Sequence, residues 1–198
     1  MTPFVIQAAC AGNIDVLKKL IAAGAQTADC GHICLSRRRK HAVVSNVIGA
    51  AAYFGRSEML QFLLTRVDST LVNAKSIESA DRSMEKGGPF KQEFNDFTPL
   101  QLAIVSPHSN VNTIRVLFGA DAKHGVYESS TGNNILHLAV KNCTESTEVL
   151  SYVLKNARID MFERNLAGDT AHTIAIQCKN TRAAEILQGC QAEFDDSE

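Results

Sequence analysis

Four residues able to hold a soft divalent metal lie close together in DCGHICLSRRRKH: Cys30, His32, Cys34 and His41. Thiolate and imidazole are ligands that zinc prefers, but paired zinc ligands are ordinarily two to four residues apart. Here a single residue separates Cys30 from His32, and another separates His32 from Cys34. Alternate residues share one side only where the backbone is extended. The segment reads as a reduced insertion loop with partly buried cysteines rather than a metal site. Another histidine, His137, lies in TGNNILHLAVKNC, followed by Cys143. No nucleophile or paired carboxylate stands near it at motif spacing. No catalytic residue, metal site or cofactor is predicted, and the chain reads as non-enzymatic. The run RRRK (37–40) has several readings: a nuclear-import signal, a phosphate site, a patch for an acidic partner, or a solvated loop.

Composition narrows the class. The 198 residues are 45% hydrophobic and 21% charged, with a formal net charge of −1. A general nucleic-acid or membrane-surface binder is usually more basic. With no Trp and 6% aromatic residues, the chain is poor in stacking platforms. Six cysteines are too dilute for a disulfide scaffold and most stand beside Ala and Leu in expected helices, which points to a reducing compartment. The N-terminus lacks the basic start of a signal peptide. The longest apolar stretch, near Val47–Phe54, is too short to cross a bilayer. The expected location is cytoplasmic, with the nucleus as the alternative. Met1 and the acidic end EFDDSE suit a complete chain, with an excised part of a larger protein as the alternative.

The elements that would position any site emerge from a repeat. Ala103 in TPLQLAI, Ala139 in ILHLAV and Ala175 in TAHTIAI recur at intervals of 36 residues. Five residues before each stands a residue that caps helices: Thr98, Asn134 or Thr170. Its side-chain oxygen can accept from an orphan N–H of the first turn. Pro99 follows Thr98 at the first helical position, where its fixed φ fits. A second amphipathic segment follows each of the three: NVNTIRVLFGAD, STEVLSYVLKNA and NTRAAEILQG. The pattern predicts helix, short turn, helix and then a polar turn. Two earlier stretches, 8–25 and 51–68, share A-A-x-x-G before a second helical pattern, with Ala8 and Ala51 as the equivalent alanines. For a base period of about 33 residues, the intervals before Ala51 and Ala103 hold roughly ten and nineteen extra residues.

These motifs resemble the ankyrin-repeat family. The resemblance rests on TPLQLA (98–103), NILHLA (134–139), GDTAHTIA (168–175), AGNIDVLKKLIAAGA (11–25), FGAD (118–121) and VNAK (72–75). It covers most of residues 2–190. The first repeat is out of register at Thr2-Pro3, the second has NVIGAAA, and the last reads TAHTIA. The resemblance implies an all-α solenoid of helix-turn-helix units with β-turn fingers. It would be one domain over 1–192, with approximate repeats 2–27, 42–75, 93–124, 129–161 and 162–190. Insertions fall near 28–41 and 76–92, and 193–198 form an acidic tail. In such arrays partners bind the concave face. By register that face includes Tyr53, Phe54, Phe94, Phe97, Asn133, Lys141, Asn142, Asp169 and Gln177. The other reading of Tyr53 and Phe54 is packing beneath an insertion. The resemblance also makes His137 a strut between neighbouring turns, and Asn73 a match to an asparagine that is hydroxylated in some repeats. The implied function is recognition of another protein, as adaptor, scaffold or inhibitor. Neither nucleic-acid binding nor membrane insertion is expected. The alternatives are a nuclear, transcription-linked regulator and a microbial effector that binds a host protein.

Overall fold

Short polar side chains placed just before apolar runs start most of the helices. The computed structural model describes residues 3–27, 30–36, 41–77, 96–142 and 147–195, with 32, 34–36, 41–42 and 191–195 described by backbone alone. Among these residues are ten α-helices and one two-stranded sheet, so the chain is predominantly helical. It divides into two compact units, Met1–Ala122 and Lys123–Glu198.

The first unit holds three helix pairs. They are α1 (Phe4–Ala11) with α2 (Ile14–Ala22), α3 (Val47–Tyr53) with α4 (Ser57–Leu64), and α5 (Pro99–Val105) with α6 (Val111–Gly119). Thr98 and Gln101 form a reciprocal capping box at α5, with Pro99 at the helix start. Asn46 caps α3 by accepting from the Gly49 N–H at 2.9 Å. This cap lies five residues before Ala51, extending the recurrence seen at Thr98, Asn134 and Thr170 to the irregular second repeat. Every residue of α3 is buried, as expected of a helix that is apolar all round. It packs against both α1 and α5. Ala50, Ala51 and Ala52 are fully covered. A Cβ at Gly49 would collide first with the Ser45 side chain and would stand 3.2 Å from Leu102 of α5, so the absent side chain makes room chiefly for Ser45. Leu60, Leu63, Leu100, Leu102, Ile104, Ile114 and Leu117 complete a continuous apolar core.

The first insertion departs from the loop expected over 28–41. Gly31–Ser36 (β1) and His41–Ser45 (β2) pair antiparallel, with Ile33 opposite Val43 and an irregularity between Cys34 and Ser36. Ile33 and Val43 are buried, so the hairpin contributes to the core. The reason is a period-two apolar pattern and β-branched content, which favour a half-buried strand. Val44 and Ile77 exchange both backbone hydrogen bonds, at 3.2 and 2.9 Å. The neck of the second insertion is closed by Ser76 N–H to Phe97 O at 2.8 Å, Phe97 N–H to Ser76 Oγ at 3.0 Å and Asp96 N–H to Ser76 O at 3.0 Å.

The second unit holds α7 (Ile135–Asn142), α8 (Glu148–Asn156), α9 (Ala171–Gln177) and α10 (Thr181–Asp195). Helix α7 packs on α8 and α9, and α9 packs on α10. The core comprises Ile135, Leu136, Leu138, Val140, Leu150, Val153, Ile174, Ala175 and Leu187. Thr170 caps α9 through the Thr173 N–H, and Asn180 caps α10 through the Ala183 N–H.

Candidate functional site

The turns before α7 and α9 are joined by a dense polar network, because short side chains at turn positions satisfy the backbone locally. Asn134 is buried at the start of α7. Its Oδ1 accepts from the N–H groups of Leu136 and His137, at 3.0 and 3.1 Å. Its Nδ2 donates to Glu163 Oε2 at 2.8 Å. His137 Nδ1 lies 2.6 Å from Asn134 Oδ1, and Nε2 lies 3.1 Å from the Asp169 carbonyl. The imidazole is thus a strut between two turns, as the ankyrin resemblance implied for it. Burial lowers its pKa, against the raising effects of the Asp169 carbonyl and the Glu163 carboxylate.

Asn133 and Asn165 continue the network. Asn165 Nδ2 donates to Asn133 Oδ1 at 2.9 Å, and Asn133 Nδ2 donates to Glu128 Oε2 at 3.1 Å. Thr131 Oγ1 donates to the same carboxylate oxygen. Asn165 Oδ1 accepts from the N–H groups of Ala167 and Asp169. The Tyr127 hydroxyl donates to Glu163 Oε1, a bond that raises the tyrosine pKa. Gly132, at φ 68°, has no Cβ where one would stand 2.8 Å from the Leu166 side chain.

This framework holds apolar side chains in water. Leu166 is 76% exposed, Ile176 59%, Phe162 48% and Tyr127 46%. Ile176 belongs to α9, whereas Tyr127, Phe162 and Leu166 stand on the turns; burying such groups on a partner would be favourable, and pre-formed turns lower the ordering cost of doing so.

The sequence-derived positions divide sharply. In the second unit, Lys141 and Gln177 are exposed, Asn142 and Asp169 are partly covered, and Asn133 is buried. Gln177 Nε2 donates to Asp169 Oδ1 at 2.9 Å, which brings those two together. Asn133 is therefore a framework residue rather than a contact residue: both ends of its amide are consumed within the turns. In the first unit Tyr53 is 3% exposed and Phe97 2%, so neither offers a free aromatic anchor. Tyr53 meets Phe54 edge to face, with centroids 5.3 Å apart. Phe54 is partly covered and stacks on His108 at 5.6 Å. Phe97 is enclosed at the neck of the second insertion. Tyr53 and Phe54 are covered where the end of α3 meets the turn after α5, which supplies the His108 ring and the Ser106 hydroxyl that donates to the Tyr53 carbonyl. Phe94, RRRK and Cys143 lie outside the described residues.

Register reasoning missed Tyr127, Phe162, Leu166 and Ile176. Leu166 had a readable signal, an isolated leucine in the polar turn NLAGD between two helices. Asn73 is partly exposed, and its Nδ2 donates to the Asp121 carbonyl at 3.2 Å.

Cys10, Cys30, Cys178 and Cys190 are free thiols. Burial pushes Cys10 up to about 11, which suppresses its thiolate at neutral pH. No cluster of three or more His, Cys, Asp or Glu residues suited to a metal occurs among the described residues, and the side chains of His32, Cys34 and His41 are not among those described. Strand β1 does supply the extended backbone that convergence of His32 and Cys34 would require. No described helix is long and apolar enough to cross a membrane. No protein-family model matches the chain, and no curated protein matches it at a significant level.

Proposed function

We propose that the chain is an ankyrin-repeat protein whose work is non-catalytic recognition of another protein, as adaptor, scaffold or inhibitor. The observation that carries this reading is the set of exposed apolar side chains, Tyr127, Phe162 and Leu166, on turns stiffened by partly buried hydrogen bonds. A pre-organised surface binds without first losing loop entropy, and exposed aromatic residues are frequent binding anchors. The ankyrin reading is supported by five successive helix pairs whose first helices carry recurrent caps at Asn46, Thr98, Asn134 and Thr170. The His137 strut between turns supports it as well.

Affinity capture from source-cell lysate tests the recognition role. The Phe162→Ala/Leu166→Asp double variant is compared with the wild-type chain, with mass spectrometry as the readout. The expected result is a protein retained by the wild type and lost by the variant, with circular dichroism unchanged. Identical captured sets from two equally folded baits would refute the assignment of the surface.

A further inference from the structure

The second unit contains a depression of about 270 Å³ lined by Val140, Lys141, Cys178, Lys179, Asn180, Thr181 and Arg182. Three of these seven described lining residues are cations, and none of the described ones is an acid. Among the described residues, no carboxylate pairs with Lys141, Lys179 or Arg182. Like charges gathered around one concavity repel one another unless an anion joins them.

One of the three cations, Arg182, also sits where local electrostatics disfavour it. Lys179, at φ 56°, takes the left-handed position that ends α9, where its N–H donates to the Ile176 carbonyl and the Asn180 N–H to the Ala175 carbonyl, both at 2.9 Å. Arg182 is in the first turn of α10, which has no acidic residue, although the helix dipole there favours negative charge. Thr181 and Arg182 also carry N–H groups of the first turn, for which a helix supplies no acceptor. An anion in the depression would offset the repulsion among the cations, the charge at the start of α10 and the unmet first-turn N–H groups.

We infer that the depression between the end of α7 and the start of α10 binds a phosphoryl group carried on a side chain of a partner protein. Three cations suit the charge of a phosphate monoester better than that of a single carboxylate. The volume leaves room for the residue that carries the group. The inference rests on the protein-recognition reading only for the source of the phosphoryl group.

The test is an amide chemical-shift titration of the ¹⁵N-labelled full chain at constant ionic strength. The probes are inorganic phosphate, a short peptide with one phosphoserine, and the same peptide with Glu in its place. The phosphopeptide should saturably shift Lys141, Lys179, Thr181 and Arg182, about tenfold or more tighter than the other two probes. Lys179→Gly with Arg182→Gln should weaken it about tenfold or more, whereas Lys155→Gln, on α8, should not. Lys179→Gly alone should weaken binding while raising the thermal midpoint, which shows that the variant still folds. Absence of saturable shifts at these amides, or unchanged affinity in the double variant, would overturn the site. Equal affinity for the Glu peptide would overturn the phosphoryl assignment, and equal affinity for inorganic phosphate would overturn the side-chain source. The titration needs no natural partner, so its failure leaves the apolar turn surface standing. Failure of the capture experiment likewise leaves the phosphoryl site standing.

Discussion

Asn134 offers the most direct test of the turn framework. Replacing it by Ala removes the oxygen that accepts from the Leu136 and His137 N–H groups, and the amide that donates to Glu163. Loss of a helix N-cap costs about 1 kcal/mol. A hydrogen bond to a charged group contributes about 1.5–3 kcal/mol, and the lower end applies here because Glu163 is only partly covered. The sum is about 2.5 kcal/mol. With a urea m-value of about 2 kcal/mol/M, the unfolding midpoint should fall by about 1.2 M. Asn134→Ser keeps an equally good cap but loses the reach to Glu163, so it should cost about 1.5 kcal/mol. Urea melts followed by circular dichroism provide the assay. A cost below about 0.5 kcal/mol for the alanine variant would refute the network's structural role. Equal costs for Ala and Ser would refute the capping share of the argument.

Two further expectations concern pH and backbone. Burial lowers the folded-state pKa of His137 below its ordinary 6.5, so the unfolded chain takes up a proton that the folded chain resists. Stability from this group is complete above that ordinary value and is lost as pH falls through it, at up to about 1.4 kcal/mol per pH unit. His137→Gln should therefore lose less stability than wild type between neutral and mildly acid pH. Equal losses in urea melts would contradict the assignment. Gly55→Ala combines left-handed φ with a Cβ only 2.4 Å from the His108 carbonyl, whereas Gly24→Ala meets open space. The first should cost about 2–4 kcal/mol and the second about 1–2 kcal/mol; equal midpoint shifts would show that the crowding at Gly55 is absorbed.

Much of the helical plan was legible because caps and apolar spacing are local. Thr98, Asn134 and Thr170 act through N–H groups within three residues of themselves, so their roles follow from order along the chain. His137 was readable as a strut only through the resemblance, since its second partner, the Asp169 carbonyl, is 32 residues away. The hairpin Gly31–Ser45 was missed because a short apolar run with period two competes with a loop unless its pairing partner is known.

What the tertiary structure alone decided is exposure. Tyr53 and Phe97 are aromatic residues whose register predicts an exposed face, yet packing against non-local neighbours encloses them. Leu166 and Phe162 belong to the same chemical class and stand in water, because the turns that carry them spend their hydrogen bonds on one another. Lys141 and Arg182 are 41 residues apart and share a concavity only because α7, α9 and α10 pack in succession. Sequence by itself determined where helices begin and which faces are apolar, since those follow from interactions between near neighbours. Which side chains remain free to meet another molecule depends on what the rest of the fold covers, and that is a property of packing.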